Sequence, residues 1–294
     1  MIRRIMKRGT YFPYMLILPA MLLIVGLGIF PLMYTIYISI HSFNPNLTID
    51  RFVGLENYLR LLFDRAFWNS MRITAYFAVV SILLQMVLGL AVSMLLNQKF
   101  LFRGFVRAVI LIPWAVPTIV NANLWGFIYD GSFGLLNRIL FGIGLIERPI
   151  IWLGSPQLAM NMIIVADTWR MLPLYVIMIL AALQTIPASA VEAAEIDGAS
   201  PLQKFFFITL PMVRPMLLVV LILRTIQALR VFDIVYVLTQ GGPASGTMVI
   251  SFYSYNQMFR FLNFDYGSAI AIMVALITMT ITIVYLKVLK GGDA

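Results

Sequence analysis

The sequence predicts an all-α integral membrane protein with six transmembrane helices and one helical loop on the cytoplasmic side. Of its 294 residues, 62% are hydrophobic and only 11% are charged, whereas soluble globular chains carry about 25% charged residues. Long runs without charge recur along the chain, and a helix of about 20 apolar residues is long enough to cross a bilayer. One polar stretch, at about 187–212, separates two of these runs. These observations indicate that lipid, and not water, surrounds most of the folded chain.

The predicted spans follow from hydropathy and from the positions of the charged residues. Runs without charge cover about 14–40, 73–96, 108–129 and 266–286. Two further hydrophobic runs, about 158–183 and 214–237, contain a few charged residues and count as the fourth and fifth spans. We therefore expect one membrane domain over 1–294, with six spans and both termini on one face. The first run exceeds the apolar core of about 7–15 residues in a secretory signal, so we expect it to remain as a span.

The distribution of basic residues predicts how these spans are oriented. Arg3, Arg4, Lys7 and Arg8 directly precede the first span. In the six-span arrangement, the face that holds both termini carries more Lys and Arg, and nearby Asp and Glu offset the basic residues of the opposite face. Because cytoplasmic loops carry an excess of Lys and Arg, we expect both termini and the polar stretch to be cytoplasmic.

The polar stretch at about 187–212 has the pattern of two short helices joined by a bend. Ser189 and Glu192 have the spacing of a capping box, which predicts a first helix that begins at about Ala190. Gly198 stands at the position where a residue in the left-handed conformation commonly ends a helix. We therefore expect the chain to bend directly after this helix.

The second short helix is predicted to begin after the bend. Ser200 is a candidate N-cap, Pro201 suits the first helical position, and Gln203 suits the third. Pro211 and Pro215 are expected to end the helix and to turn the chain back towards the membrane. Helices this short are marginal when isolated, and three consecutive phenylalanines follow. A docking surface for another protein is therefore favoured over the alternative, a solvated charged turn.

Seven residues of the polar stretch stand at a recognisable spacing: Glu192, Ala193, Ala194, Gly198, Ile208, Leu210 and Pro211. With this spacing the stretch resembles the EAA loop of binding-protein-dependent ABC importer permeases. The whole chain resembles the maltose-type carbohydrate permeases in particular. Segments that carry this further similarity lie at 52–58, 113–117 and 238–243. The resemblance implies that the polar stretch is a cytoplasmic EAA coupling-helix loop, in which Glu195 and Asp197 act together with those seven residues.

That resemblance also implies the partners of the chain. In this family the EAA loop sits in a cleft of an ATPase subunit, whose closure swings the spans from inward- to outward-facing. We therefore expect a second, non-identical permease subunit, two ATP-binding subunits or a homodimer of one, and an extracytoplasmic solute-binding protein. ATP and Mg would be bound by the partner subunits, so no cofactor is expected in this chain. The expected location is the cytoplasmic (inner) membrane of a bacterium or archaeon, in contact with membrane lipid.

Residue types suited to catalysis or metal binding are scarce. The chain has no cysteine and one histidine, His41, which falls at a predicted outer membrane edge. Its acidic residues do not cluster outside the polar stretch, and no G-x-x-x-x-G-K-[ST] loop for phosphate is present. We therefore expect no catalytic residue, no metal site and no ATP hydrolysis on this chain. The net charge of +9 fits membrane orientation, and no nucleic-acid partner is expected.

Four polar residues inside the fourth and fifth spans form the candidate solute site. Arg170 and Arg224 each lie near the middle of their span, so two neighbouring helices place an arginine at similar depth. Asp167 lies at i−3 from Arg170 and can pair with it, while Gln227 shares a face with Arg224. The sequence leaves open whether the two arginines contact a solute or only Asp167. Charged groups in a membrane are costly and tend to face a cavity or a partner. A solute site is therefore favoured for all four over a purely structural cluster.

Weaker candidates lie in the third and fifth spans. Arg230 and Asp233, at i and i+3 in the fifth span, are expected to form a local ion pair that lowers the cost of insertion. Asn121 and Asn123 follow two prolines that would kink or loosen the third span. Their amides could bond a solute hydroxyl or a neighbouring helix, and the sequence favours neither.

The resemblance indicates a carbohydrate as the solute. Maltose-type permeases bind sugar with residues of the two spans that flank the EAA loop, and 167–169 and 227–228 fall on those positions. The candidate substrate-binding residues are Asp167, Arg170, Arg224, Gln227, Asn121, Asn123 and Trp114. The expected function is therefore the permease subunit of an ATP-driven ABC importer for a sugar, a di- or oligosaccharide, delivered by an extracytoplasmic binding protein.

Two alternatives stay open. The chain carries arginines and an aspartate where the maltose pattern has neutral residues, and the arginine fork suits carboxylate or phosphate. An importer of the same class for a glycerol-phosphate or another anionic polyol is therefore the first alternative. A secondary transporter is the second and is less favoured, because it would not explain the capped polar loop and no inverted repeat is visible.

Overall fold

A computed structural model describes residues 12–43 and 48–290, and within these ranges nearly all regular structure is helical. The predicted all-α class is thus confirmed. The described residues form two compact units. The first contains the chain up to Asp64 together with Ser254–Met273, and the second contains Arg65–Tyr253 together with the chain from Val274. The basic N-terminal cluster that predicts the orientation lies outside the described residues.

The helices and strands follow one another in a simple order. The first described elements are α1 (Phe12–Leu23), a π-helical stretch (Ile24–Ile29), α2 (Phe30–Ser39), β1 (His41–Phe43), β2 (Ile49–Phe52) and α3 (Glu56–Phe63). Next come α4 (Arg65–Asn97), α5 (Arg103–Ile110), α6 (Ile112–Ala115), α7 (Thr118–Ile128), α8 (Leu135–Gly142) and α9 (Pro156–Leu183). They are followed by α10 (Ala188–Ile196), α11 (Pro201–Lys204), a π-helical stretch (Phe205–Thr209), α12 (Leu210–Leu229) and α13 (Asp233–Leu238). The last are α14 (Ile250–Tyr255), a π-helical stretch (Asn256–Arg260) and α15 (Phe264–Lys290).

Five helical stretches of the described chain are long and apolar enough to cross a membrane. They are Tyr14–Ser39, Arg65–Asn97, Pro156–Leu183, Pro201–Leu229 and Phe264–Lys287. Each overlaps one predicted span, so the multi-pass membrane protein predicted from hydropathy is confirmed. The predicted third span is instead a bent pair of helices, which brings the number of spans to six if the pair crosses the membrane as one.

The predicted third span, at about 108–129, is not a straight helix. Its two helical parts, Arg103–Ala115 and Thr118–Ile128, meet at an angle of 96°. Val116 between them is extended, with a ψ of 126°, because a proline disfavours the helical conformation in the residue before it. Pro117 also lacks the N–H that a continuing helix would need. The sequence predicts a kink or a loosened helix here, and the helix is broken.

The predicted fifth span, at about 214–237, ends earlier than expected. α12 stops at Leu229, and α13 starts at Asp233 after a non-helical residue, Phe232, with a φ of −145°. Arg230 and Asp233 therefore do not lie one turn apart on a helix. The ion pair expected between them does not form in this described segment, because its i, i+3 spacing required a continuous helix.

α9 is the central helix of the second unit. It packs against α4 and α12 and also contacts α6, α7 and α13. Buried residues lie on every side of it, and its Tyr175 and Ile179 form a core with Val213 and Val220 of α12. Since lipid is as apolar as these side chains, close packing rather than transfer out of water holds such helices together.

α4 meets α9 along a stripe of small and polar residues. Ser81, Gln85, Gly89 and Ser93 recur every four residues and are all buried. A Cβ atom added to Gly89 would lie 3.4 Å from the Cδ1 atom of Ile179, so the two helices approach closely at this point. Small residues allow such approach between membrane helices, and polar ones supply hydrogen bonds across the contact.

The first unit fixes its short elements with hydrogen bonds to the end of α2. β1 and β2 pair antiparallel, with His41 opposite Phe52, in a hairpin that hydropathy did not predict. Asn57 of α3 donates its amide N–H to the Ser39 carbonyl at 3.0 Å. The hydroxyls of Ser39 and Tyr58 lie 2.7 Å apart. Two successive residues of α3 are thereby tied to the last residue of α2.

Candidate solute site and polar loop

A cavity of about 290 Å³ lies in the second unit, where α6, α7, α9, α12 and α13 supply its wall. Its lining residues are Trp114, Thr118, Asp167, Arg170, Met171, Arg224, Gln227, Arg230, Val231, Phe232, Asp233 and Ile234. The structure thus brings five of the seven candidate substrate-binding residues to one place. The volume is close to the lower end of the range of about 300–1,000 Å³ for small-molecule sites.

Asp167 and Arg224 form a buried ion pair that joins α9 to α12. The Arg224 Nη2 atom donates to Asp167 Oδ2 at 2.6 Å, and both side chains are almost completely buried. The sequence allowed Asp167 to pair with Arg170, one turn away on the same helix, but its partner is Arg224. Arg224 is more deeply buried than Arg170, and it has the greater need of a counter-ion because an unpaired buried charge is very costly.

α4 supplies the remaining partners of this ion pair. Ser81 Oγ accepts a hydrogen bond from Arg224 Nη2 at 2.8 Å. Gln85 Nε2 donates to Asp167 Oδ2 and to Thr168 Oγ1, each at 3.3 Å. One polar cluster therefore ties three helices together. Sequence reasoning missed Ser81 and Gln85, although two polar residues four positions apart in an apolar span indicate a polar contact between helices.

Arg170 lines the same cavity without a protein partner. It is partly exposed, and within the described part of the chain it makes no ion pair and its buried Nε atom has no hydrogen-bond partner. Arg224, in contrast, is held by Asp167 and Ser81. The two arginines at similar depth therefore differ in what they can do. Arg224 joins helices, and Arg170 presents a guanidinium group to whatever enters the cavity.

Gln227 is held in the cavity wall by a tyrosine of α9. Tyr175 is completely buried and donates its hydroxyl hydrogen to Gln227 Oε1 at 2.8 Å. Trp114 of α6 stands elsewhere in the wall and is 47% exposed, so its indole ring offers an accessible apolar surface. The wall therefore combines donors of α9 and α12 with the aromatic rings of Trp114 and Phe232.

Arg230 and Asp233 also belong to the wall of the cavity, where the sequence predicted only a local ion pair. Both side chains are exposed. With them, the wall carries three arginines and two aspartates, and one arginine is already neutralised by Asp167. The signal that could have assigned them to the site is their place a few residues after Arg224 and Gln227 in the same predicted span.

Asn121 and Asn123 do not line the cavity. Asn121 is buried, and its Nδ2 atom donates to the Ala166 carbonyl of α9 at 3.3 Å. Asn123 is exposed, and its Nδ2 atom donates to the Ile119 carbonyl of its own helix at 3.0 Å. The prediction assumed one span at about 108–129. The 96° bend before α7 changes the direction of the helix that carries both residues, so neither one reaches the cavity.

α10, the first helix of the polar loop, starts earlier than the sequence predicts. It begins at Ala188 directly after Pro187, and no side chain caps its N-terminus. Ser189 therefore lies inside the helix, and the capping box predicted for Ser189 and Glu192 does not form. Pro187, which has a φ of −63° and a ψ of 132°, takes the extended position directly before the helix.

The bend after α10 is confirmed. Gly198 has a φ of +75°, in the left-handed region that glycine adopts without a steric penalty. Its N–H donates to the Glu195 carbonyl at 3.1 Å, and the Ala199 N–H donates to the Ala194 carbonyl at 2.9 Å. This pair of bonds is a Schellman motif, which satisfies carbonyls at the end of the helix.

The helix after the bend starts as predicted. The Gln203 N–H donates to Ser200 Oγ at 3.3 Å, and the Ser200 N–H donates to Gln203 Oε1 at 2.8 Å. Pro201 occupies the first turn. Two N–H groups are thus satisfied reciprocally in a full capping box.

The same helix does not end where the sequence predicts. It continues through the π-helical stretch Phe205–Thr209 into α12, so that Pro201–Leu229 is one long helix. Pro211 and Pro215 lie inside it and were wrongly expected to end it. A π-helical turn closes its hydrogen bonds over five residues rather than four, and this wider turn directly precedes Pro211 and accommodates its missing N–H.

The polar loop exposes apolar side chains beside its charged ones. Ile196 is 87% exposed, Phe207 78% and Leu202 71%. Lys204 and Glu195 form an ion pair of 2.7 Å that links the two helices. Of the other candidate coupling residues, the exposed ones are Glu192, Ala193, Asp197, Gly198 and Pro211, and the half-buried ones are Ala194, Ile208 and Leu210. Apolar surface exposed in this way is typical of a site that binds another protein.

Comparison with known proteins gives the same class of molecule. The chain is 46% identical over 275 residues to the trehalose/maltose transport system permease protein MalF of Thermococcus litoralis, which covers 94% of this chain and 92% of the relative. It is 34% identical over 280 residues to the sulfoquinovosyl glycerol transport system permease protein SmoG of Agrobacterium fabrum, with 95% and 90% covered.

A solved structure shares the fold. It is the crystal structure of a bacterial alginate ABC transporter in complex with an alginate pentasaccharide-bound periplasmic protein. One chain of it matches with a TM-score of 0.82 and 22% identity, over 96% of this chain and 94% of that chain. At this identity the match speaks for the fold alone.

The family match covers most of the chain. Residues 57–289 match the family described as "Binding-protein-dependent transport system inner membrane component". This range contains the polar loop and every residue that lines the cavity. The chain therefore belongs to the family of binding-protein-dependent transport system inner membrane components, the permease subunits of ABC importers.

Proposed function

We propose that this permease carries a sugar, a di- or oligosaccharide, through the cavity between α9 and α12. The observation that carries the proposal is the position of that cavity, because the two spans that flank the polar loop supply Asp167, Arg170, Arg224 and Gln227 to its wall. Two relatives are named for transport of trehalose/maltose and of sulfoquinovosyl glycerol, which supports a carbohydrate as the solute.

Each group of the cavity has a role in this proposal. Arg170 and Gln227 donate hydrogen bonds to oxygen atoms of the sugar, since neither their guanidinium group nor their amide NH₂ has another partner among the described residues. Trp114 offers its exposed ring to the apolar face of the sugar. Asp167 and Arg224 keep α9 and α12 in register and do not contact the solute themselves.

We propose that the polar loop couples ATP hydrolysis on a partner subunit to transport of the solute. Its exposed apolar side chains, among them Ile196 and Phe207, would dock in a cleft of an ATPase subunit. The loop and both termini would then be cytoplasmic. The complete importer would contain a second, non-identical permease, two ATP-binding subunits or a homodimer of one, and an extracytoplasmic solute-binding protein. It would lie in the cytoplasmic membrane of a bacterium or archaeon, with ATP and Mg on the ATPase subunits.

Replacement of Arg170 tests the solute site. In the complete importer reconstituted in proteoliposomes, we expect Arg170→Gln to lower ATP-driven uptake of labelled maltose or trehalose by about ten-fold, because a charged hydrogen bond to the solute is lost. Arg138→Gln is the matched control, since Arg138 is exposed on α8 and does not line the cavity. Equal uptake by both variants would contradict the proposed site.

Co-purification tests the proposed partners. We expect an ATPase and a second permease to co-purify with the detergent-solubilised wild-type protein. We expect no ATPase to co-purify with the Glu192→Lys, Gly198→Asp double variant. Recovery of no ATPase with either protein would favour a secondary transporter. Uptake that requires an ion gradient rather than ATP would support the same conclusion.

An anionic polyol is the second candidate for the solute. The observation that favours it is the excess of one arginine over the aspartates in the wall of the cavity, because the arginine fork binds phosphate and carboxylate well. Competition decides between the two candidates. Inhibition of labelled maltose uptake by unlabelled trehalose but not by glycerol phosphate supports the neutral sugar.

A further inference from the structure

Tyr175 is buried on every side, yet its hydroxyl needs a partner. The side chain is 0% exposed, and its ring packs in the apolar core with Ile179 and Val220. Buried tyrosine hydroxyls are nearly always hydrogen-bonded. Here the hydroxyl donates to Gln227 Oε1 at 2.8 Å. Within the described chain, Gln227 is its acceptor.

This bond decides which end of the Gln227 amide faces the cavity. A glutamine amide has one acceptor, the carbonyl oxygen, and one group of two donors, the NH₂. Since the oxygen is taken by Tyr175, the NH₂ group is the end left for the cavity that Gln227 lines. The reversed amide would leave the buried hydroxyl hydrogen of Tyr175 without an acceptor, which is the more costly arrangement.

We propose that Tyr175 is a positioning residue that makes Gln227 a hydrogen-bond donor to the solute. The inference rests on the proposed function, because it assumes that a sugar occupies this cavity. Arg170, which lines the same cavity and has no partner for its buried Nε among the described residues, is also a donor and cannot accept. The two side chains together form a wall that recognises acceptor oxygens, the ring and hydroxyl oxygens of a sugar.

Gln227→Glu tests the orientation of the amide directly. The carboxylate keeps an oxygen for the Tyr175 hydroxyl but replaces the cavity-facing NH₂ by an acceptor. In the complete reconstituted importer we expect ATP-driven sugar uptake to fall by about ten-fold, with the thermal stability of the assembled complex unchanged. Wild-type uptake by Gln227→Glu would overturn the proposed orientation.

Tyr175→Phe tests whether the tyrosine acts through Gln227. We expect it to lower uptake of the sugar about three- to ten-fold and to reduce discrimination against a deoxy analogue that lacks the recognised oxygen. In a Gln227→Leu background the same change is expected to have no further effect. An equal loss in both backgrounds, or unchanged discrimination, would overturn the positioning role.

Tyr129→Phe is the matched control for loss of a buried hydroxyl. Tyr129 is 2% exposed and donates to the Met162 carbonyl at 3.0 Å, and it does not line the cavity. We expect this variant to lower stability without changing the discrimination between sugar and deoxy analogue. If the wild-type importer takes up no sugar, the proposed function and this inference both fail. If the wild type takes up sugar and the Gln227 and Tyr175 variants take it up equally well, the inference alone fails.

Discussion

Arg224 is a buried residue of the second unit, with 2% of its surface exposed. Three groups interact with its guanidinium group. Asp167 supplies the counter-ion, Ser81 accepts a second hydrogen bond, and the Phe77 ring lies 5.6 Å from the guanidinium carbon. Buried ion pairs add little stability in themselves, but loss of one partner leaves an uncompensated charge. The pair therefore makes the arrangement of α4, α9 and α12 specific.

Asp167→Asn is predicted to destabilise the assembled protein strongly. It leaves Arg224 buried without a counter-ion, and we expect a loss of about 3–5 kcal/mol in the free energy of unfolding. Thermal denaturation of the detergent-solubilised complex measures the effect. Glu195→Gln is the control, because it breaks the exposed pair with Lys204 and should cost below about 1 kcal/mol. Similar melting of the two variants would contradict the structural role of the buried pair.

The sequence predicted the residues of this site better than their contacts. Arg170, Arg224, Asp167 and Gln227 were identified because charges in an apolar span are rare and costly. The sequence left the partner of Asp167 open, because Arg170 lies one turn away and Arg224 lies 57 positions later in the chain. Only the packing of the helices decides between them. Gln85 was missed for the same reason.

At the scale of elements, the contact between α4 and α9 depends on the absence of a side chain at Gly89. A Cβ atom there would lie 3.4 Å from the Cδ1 atom of Ile179 and 3.8 Å from Tyr175 Cβ. One methyl group therefore fits in ordinary contact, and a larger group does not. Gln85 lies one turn before Gly89, so any separation of the helices also withdraws it from Asp167.

Gly89→Leu is accordingly predicted to impair the protein, while Gly89→Ala is tolerated. We expect the leucine variant to lose about 1–3 kcal/mol through overpacking, together with sugar uptake. Gly104→Leu is the matched control, because nothing lies within 4 Å of a Cβ atom built at Gly104. The measurement is thermal stability and uptake at equal amounts of complex, and equal behaviour of the two leucine variants would contradict the close contact.

Helices with strong local signals were predictable, whereas breaks inside apolar runs were predicted only in part. The spans predicted at about 73–96 and 158–183 were foreseen because apolar residues dominate these runs, and they fall within the helices Arg65–Asn97 and Pro156–Leu183. At Pro117 the sequence predicted a kink or a loosened helix but not a full break with a 96° bend. The end of α12 at Leu229 was not foreseen, since the apolar run continues beyond it. The reverse error occurred at Pro211, where a π-helical turn allowed the helix to continue.

Gly198→Val is predicted to disrupt the polar loop where Gly198→Asn does not. The φ of Gly198 is +75°, and no atom lies within 4 Å of an added Cβ. The effect of a side chain is therefore backbone strain alone, which is large for a β-branched residue and small for asparagine. Recovery of the ATPase in a pull-down is expected to fall with valine only, and loss with both variants would point to steric exclusion at the interface instead.

At the scale of the whole molecule, one helix connects the polar loop to the cavity. Pro201–Leu229 runs without interruption from the capping box at Ser200 to Gln227. At a rise of about 1.5 Å per residue, its ends lie about 40 Å apart. If a partner displaces the loop, this continuous helix would move the residues of α12 that line the cavity. The buried ion pair between Arg224 and Asp167 would couple the same movement to α9.

This connection predicts that a flexible point in the rod uncouples ATP hydrolysis from transport. Val219 is 43% exposed, lies on α12 between the loop and the cavity, and does not line the cavity. We expect Val219→Pro to insert and to bind the ATPase, but to show ATP hydrolysis with uptake reduced about ten-fold or more, because an interior proline weakens a helix by about 3 kcal/mol. Val219→Ala is the control and should remain coupled, and Val219→Gly should be intermediate. A constant ratio of uptake to hydrolysis across all three variants would show that the loop communicates with the cavity by another route.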